Sequence, residues 1–213
     1  MDGRNPLYCP RTFEEERTES ILDLIASHPL ATIVTAGSGG MTAEHVPLIH
    51  EPEESGWGTL VGHVARANPV WRSEESRHLL VFQGPQAYVS PGWYPTKQVD
   101  PRVVPTWNYA VVHVTASMTT FDEPEALLSL VRQLSDRHEA AMPQPWSVDD
   151  APADYIEKMC RAIVGVRFRV IDLKAKFKLS QNQSDANRSG VLEGLGQAPA
   201  AAFMRQWASG PKV

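Results

Sequence analysis

Two stretches of this chain carry side chains whose types and spacing could do chemistry. The first is Lys174-Ala175-Lys176-Phe177-Lys178-Leu179-Ser180-Gln181-Asn182-Gln183. Side chains alternate along an extended segment, so Lys178 and Ser180 share a face there and form a cation-plus-hydroxyl clamp. Gln181 and Asn182 add amide donors and acceptors, and they suit a turn cap equally well. The competing reading is a solvated basic face made of Lys174, Lys176 and Lys178, and the residues alone do not choose between the two. The second stretch, Gly84 to Val114, holds two of the six Trp, three of the five Tyr and five Pro. Rings (Trp93, Tyr94, Trp107, Tyr109), the cation Lys97 and the Thr106/Asn108 pair surround a Pro-fixed loop. That set suits one wall of a flat ligand pocket, or else a twisted hairpin whose rings fill the core. Trp107 and Tyr109 fall on one face of a regular strand and Asn108 on the other.

Other chemistries lack support. His45 and His50 face opposite sides of one strand, and no HExxH or close His/Cys/Asp grouping appears, so no metal site is expected. Cys9 and Cys160 are far apart and lack CxxC spacing, which reads as two reduced bystanders. No GxSxG elbow is present. Gly37-Ser38-Gly39-Gly40 precedes no helix pattern, so it reads as a hairpin turn and not a dinucleotide fingerprint. A net charge of −5 argues against non-specific attraction to nucleic acid. No apolar run approaches the ~20 residues of a membrane span, and the first residues hold no apolar signal core. The expectation is a cytoplasmic protein.

The elements that would position these residues are mostly strands. Thr12-x-x-Glu15 reads as a capping box for a helix with Phe13, Arg17, Ile21, Leu24 and Ile25 on one face, ended by His28-Pro29. Strands follow at Leu30–Thr35, Ala43–His50, Thr59–Val64, Arg77–Gln83 and Ala87–Val89, with a polar loop from Glu51 to Gly58. A further strand runs from near Val103 through Val114 and on towards Phe121. Asp122-x-x-Glu125 reads as the cap of a second helix with Leu127, Val131, Leu134 and His138 on one face, and Asp149–Cys160 carries a third. Val164 to Leu173 alternates, with Val166, Phe168 and Val170 inward. Short strands with turns between them describe a β barrel or sandwich, not a parallel βαβ sheet. The chain reads as one domain over residues 1–213, with the last ~15 residues an appended helix.

Three pieces together resemble one family. They are Gly62-His63-Val64-Ala65-Arg66-Ala67-Asn68-Pro69, the run Tyr88-Val89-Ser90-Pro91 through Trp93-Tyr94 to Pro105-Thr106-Trp107-Asn108-Tyr109, and Lys178-Leu179-Ser180-Gln181-Asn182. Leu7-Tyr8-x-Pro10-x-x-Phe13 and Gly190-Val191-Leu192-x-Gly194-Leu195 match as well. The resemblance is to the PaiB family, FMN-binding negative transcriptional regulators related to the flavin split-barrel proteins. It covers nearly the whole chain.

The resemblance implies a mainly β fold with peripheral helices, a six-stranded antiparallel Greek-key split barrel. It implies a homodimer with FMN at the interface, contacted from both subunits. The cofactor-binding candidates are then Arg66, Asn68, Lys97, Trp107, Lys178, Ser180, Gln181 and Asn182. Arg66, Lys97, Lys178 and Ser180 suit the phosphate, Gln181 and Asn182 the polar edge of the ring, and Trp107 its wall. The family label also implies DNA binding. A helix-turn-helix has little support, because the helices from Asp122 and Asp149 are split by Pro143 and Pro145 and the second is acid-rich. The alternative is an FMN-dependent oxidoreductase that takes hydride from a nicotinamide and passes electrons to a small acceptor.

Overall fold

The computed structural model describes residues 7–37, 40–54 and 56–209. Their strands form one sheet: β1 (Glu14–Glu15), β2 (Leu30–Gly37), β3 (Gly40–Pro47), β4 (Ile49–Glu51), β5 (Thr59–Ala65), β6 (His78–Val89), β7 (Thr106–Phe121) and β8 (Ile163–Lys178). The order is β3-β2-β6-β7-β8-β5-β4, with β1 added on β8. The pairs β1/β8, β2/β3, β2/β6, β4/β5 and β5/β8 are antiparallel. Eight strands stand where six were expected, and the two additional ones, β1 and β4, are the shortest, at 2 and 3 residues. The helices are α1 (Thr18–Ser27), α2 (Pro124–Glu139), α3 (Ala153–Arg161), α4 (Asp185–Leu195) and α5 (Pro199–Ser209).

The strands form where β-branched residues alternate with polar ones. In β8, Val164, Val166 and Phe168 are buried while Arg167 and Arg169 are exposed, as a half-buried strand requires. The segments Arg77–Gln83 and Ala87–Val89 belong to one strand, β6, because Gly84-Pro85 does not stop it. The stretch Ala43–His50 is interrupted at Leu48, whose side chain is buried between β3 and β4. Gly37 pairs with Gly40 at the flanks of the expected hairpin turn, while Ser38 and Gly39 lie outside the described residues, as do Ser55 of the polar loop, the N-terminal residues through Pro6 and the last four residues.

By contact density the chain divides into two compact units: residues 1–24, 82–113 and 174–213 form one, and residues 25–81 and 114–173 the other. In the first, the expected capping box is absent. Arg11–Phe13 is a 3-10 turn and Glu14-Glu15 pairs with Lys176-Ala175, so pairing with a distant strand outcompetes the local Thr-x-x-Glu pattern. Glu15 is buried, accepting hydrogen bonds from the Arg17 backbone N–H (2.8 Å), its guanidinium and Trp207 Nε1, and it ties the start of the unit to α5. Burial pushes the Glu15 carboxyl up, but the hydrogen bonds from Arg17 and Trp207 outweigh it and hold the group below its ordinary value.

In the second unit, Ile49, Val61, Phe121, Leu127, Leu130, Leu134 and Cys160 form a buried cluster. Helix α2 starts at Pro124 after Glu123 without a side-chain cap, so Asp122 does not cap it; its carboxylate instead meets Arg66. Leu130 takes the buried place expected for Val131, and His138 is exposed. His78 is 1% exposed; its Nδ1 meets Thr35 Oγ1 at 2.9 Å and its ring stands edge-on to Phe168.

Burial lowers the imidazole pKa of His63, His78 and His113 below 6.5. A depressed folded-state pKa means that the unfolded chain takes up protons first. These groups therefore leave stability intact above pH ~6.5 and erode it as pH falls through their folded values. Melting temperature followed from pH 8 to 5 is expected to be flat at first and then decline. His78→Gln is expected to flatten part of that decline; an unchanged slope in this variant would assign the titration to other groups.

Candidate flavin site

A recess of about 310 Å³ lies within the first unit, lined by Phe13, Tyr94, Thr106, Asn108, Lys178 and Ser180, with Val104, Pro105, Asn182 and Gln183 completing the wall. Sites for small molecules span roughly 300–1,000 Å³. This recess is at the small end, the size of one end of a nucleotide and not the whole of a flavin.

Its polar groups are fixed by three devices. Lys178 ends β8 and donates from Nζ to Thr106 Oγ1, the first residue of β7. An ammonium has three N–H groups, so two remain for a ligand. Asn108 is 1% exposed; its Nδ2 donates to Ser180 Oγ at 2.8 Å, and Ser180 Oγ lies 3.2 Å from Asn108 Oδ1. Ser180 itself has φ 64°, the one non-glycine residue with positive φ among the described residues. That conformation is disfavoured for a side chain with a Cβ and persists only where neighbours hold it. Gln181 is the holder: its Oε1 accepts from Leu179 N at 2.6 Å and its Nε2 donates to the Phe177 carbonyl.

Lys178 and Ser180 therefore both line the recess, but not through the strand alternation that put them on one face. Strand alternation ends at Lys178, and a left-handed residue turns Ser180 towards Asn108. Gln181 does the turn-capping that was one of its two readings. Asn182 lines the recess. Trp107 is half exposed and donates from Nε1 to Gln86 Oε1 at 2.8 Å, with Tyr88 edge-on at 6.0 Å. Lys97 is exposed on the 3-10 turn Pro95–Gln98 and is not among the recess residues.

Arg66 and Asn68 belong to the second unit and have other partners. Arg66 donates from Nε to the Arg161 carbonyl at 2.9 Å and from Nη2 to the Ile163 carbonyl at 3.0 Å, with Asp122 at 3.3 Å. Asn68 caps the 3-10 turn Pro69–Arg72 through Val70 N and donates to Glu44 Oε2. Thr106 and Asn108, read from the sequence as a pair on the pocket wall, both line the recess, whereas Phe13 was placed on a helix face. Thr106 carried a signal, since it lies two residues before Asn108 and so shares its strand face. Phe13 carried none, because it reaches the recess only through the pairing of β1 with β8.

The donor set fits a phosphate: one ammonium, three hydroxyls and three side-chain amides with no carboxylate among the lining residues. No group of His, Cys, Asp and Glu among the described residues could hold a metal ion. No helix among them is long and apolar enough to cross a membrane.

Fold and site together define a flavin-binding split barrel. The flavocytochrome Anf3 of Azotobacter vinelandii superposes with a TM-score of 0.57 over 82% of this chain and 74% of its own, at 12% identity. The FAD and heme binding protein of Mycobacterium smegmatis does so with 0.55 over 78% and 73%, at 15% identity. Both speak for the fold alone. The family model described as "Putative FMN-binding domain" matches residues 7–172. The Bacillus subtilis "Protease synthase and sporulation protein PAI 2" is 33% identical over 193 residues, covering 89% of both chains. The chain belongs to this FMN-binding family, that of PaiB, and its cofactor is FMN.

Proposed function

We propose that this chain works as a homodimeric, FMN-holding regulator of degradative-enzyme production. The observation that carries the flavin part is the convergence of Lys178, Ser180 and Asn182 with Thr106 and Asn108 on one recess. In this reading these residues hold the phosphate of FMN, and Gln181 positions Ser180. Bound FMN supplies a redox-active ring that accepts one or two electrons. The recess is too small for the whole cofactor, which favours a second copy closing over the ring. The half-exposed Tyr88 and Trp107 on β6 and β7 are the seat proposed for that copy, since interfaces favour such aromatics.

The regulatory part is supported by the likeness to the Bacillus subtilis protein named for protease synthesis and sporulation. Direct reading of DNA by α2 and α3 is not part of the proposal. Residues 140–152 separate them, whereas a helix-turn-helix uses a turn of about 3–4 residues. Regulation then runs through a partner or through the state of the flavin.

Deleting the gene in its host is expected to raise extracellular protease. The wild-type gene is expected to restore the original level and the Lys178→Ala gene to fail. Unchanged protease on deletion, together with catalytic oxidation of a nicotinamide by the purified flavoprotein, would overturn this reading in favour of an oxidoreductase.

A further inference from the structure

One cavity of the second unit is used by nothing described so far. It holds about 650 Å³ between α2 and α3, with Leu127, Leu128, Val148, Ile156 and Cys160 among its lining residues. That volume is in the middle of the range for small-molecule sites. Cys160 is 6% exposed, and burial pushes its thiol pKa up, so the lining there is neutral as well as apolar.

The charges around it are nearly all matched. Arg132 is held by both oxygens of Asp149, Arg161 by Glu157, and Arg66 by Asp122 and two carbonyls. Each guanidinium of the lining already has a carboxylate partner. The remaining charged lining residue is Glu125, exposed in the first turn of α2, with no ion pair or side-chain hydrogen bond among the described residues. An apolar slot with one unmatched carboxylate complements an apolar body with one cationic head.

We infer that the α2–α3 cavity binds a small apolar amine, the chain or ring seated on Leu127, Ile156 and Cys160 and the ammonium meeting Glu125. The inference does not depend on the regulatory reading or on the flavin. It gives the second unit a ligand site of its own, built on the helices that do not form a helix-turn-helix.

Cys160 makes the site readable. The chain has two cysteines, so full-length Cys9→Ser protein reports on Cys160 alone. The rate of its modification by N-ethylmaleimide is measured against rising n-decylamine, decanol and decanoate, each below its micelle concentration. Decylamine is expected to protect saturably, at about three- to fivefold lower concentration than decanol, the contribution of one partly exposed ion pair. Decanoate is expected to protect least. In Glu125→Gln the amine's advantage over decanol is expected to vanish with the fold intact, because this side chain is exposed. Ile156→Trp, which fills the slot, is expected to abolish protection by all three. Absence of protection by decylamine in the Cys9→Ser protein would overturn the site. Equal protection by decanoate and decylamine, or an advantage that survives Glu125→Gln, would overturn the assigned ligand class.

Discussion

Lys178→Ala is expected to weaken FMN binding by about 10- to 100-fold while changing riboflavin binding less than about twofold, since charge-assisted hydrogen bonds contribute about 1.5–3 kcal/mol. The two ligands differ only in the phosphate. Lys178 Nζ is anchored on Thr106 Oγ1 and keeps two N–H groups for that phosphate, in a recess without a carboxylate to compete. Lys178→Arg is expected to recover part of the affinity, with the charge restored but the single-point geometry changed. Titration of both ligands by flavin fluorescence quenching checks this. An equal loss for FMN and riboflavin would mean that Lys178 supports the fold or the ring. No loss for either would move the phosphate elsewhere.

Gly190→Ala is expected to destabilise the protein by about 3 kcal/mol, the upper range for overpacking. The first unit packs α4 against the 3-10 turn Pro91–Trp93 with no room for a side chain. A Cβ at Gly190 would stand 2.0 Å from the Trp93 carbonyl oxygen and 3.0 Å from Pro95 Cδ. A carbonyl cannot rotate away without releasing the turn, whose Trp93 and Tyr94 N–H groups bond back to Ser90 and Pro91. The melting temperature is expected to fall by about 6–12 °C for a chain of this size. Ser184 caps α4 directly after the recess residues Asn182 and Gln183, so a displaced helix also loosens the recess and weakens FMN and riboflavin alike. That shared loss separates this variant from Lys178→Ala. Glu193→Ala, exposed on the same helix, is the control and is expected to stay within about 0.5 kcal/mol of the parent. A Gly190→Ala protein that melts like the parent would contradict the packing described.

The sheet was legible because its signal is local. The alternation of Val166 and Phe168 with Arg167 and Arg169 places β8 without any knowledge of its neighbours. The PaiB-type motifs then indicated the barrel and its cofactor. The sequence misled where a distant partner overrode a local pattern. Thr12-x-x-Glu15 has the residues of a capping box, yet Glu15 pairs in β1 and bonds to Trp207, 192 residues away. Arg66 reads as a free cation at a strand end, yet its guanidinium is occupied by carbonyls 95 and 97 residues on. The recess itself was half legible. Spacing put Lys178 and Ser180 on one face, but the left-handed backbone at Ser180, and Gln181 as the side chain that holds it, follow from no periodicity.

The central claim is that this chain holds FMN through its phosphate end. Purified protein, freed of bound flavin, is titrated with FMN and with riboflavin while the visible absorption band is followed, and each mixture is then passed through gel filtration. The account predicts an FMN band that stays with the protein at one flavin per chain, and a riboflavin band that is largely lost on the column. A protein that ignores FMN, or that retains riboflavin equally well, would contradict it.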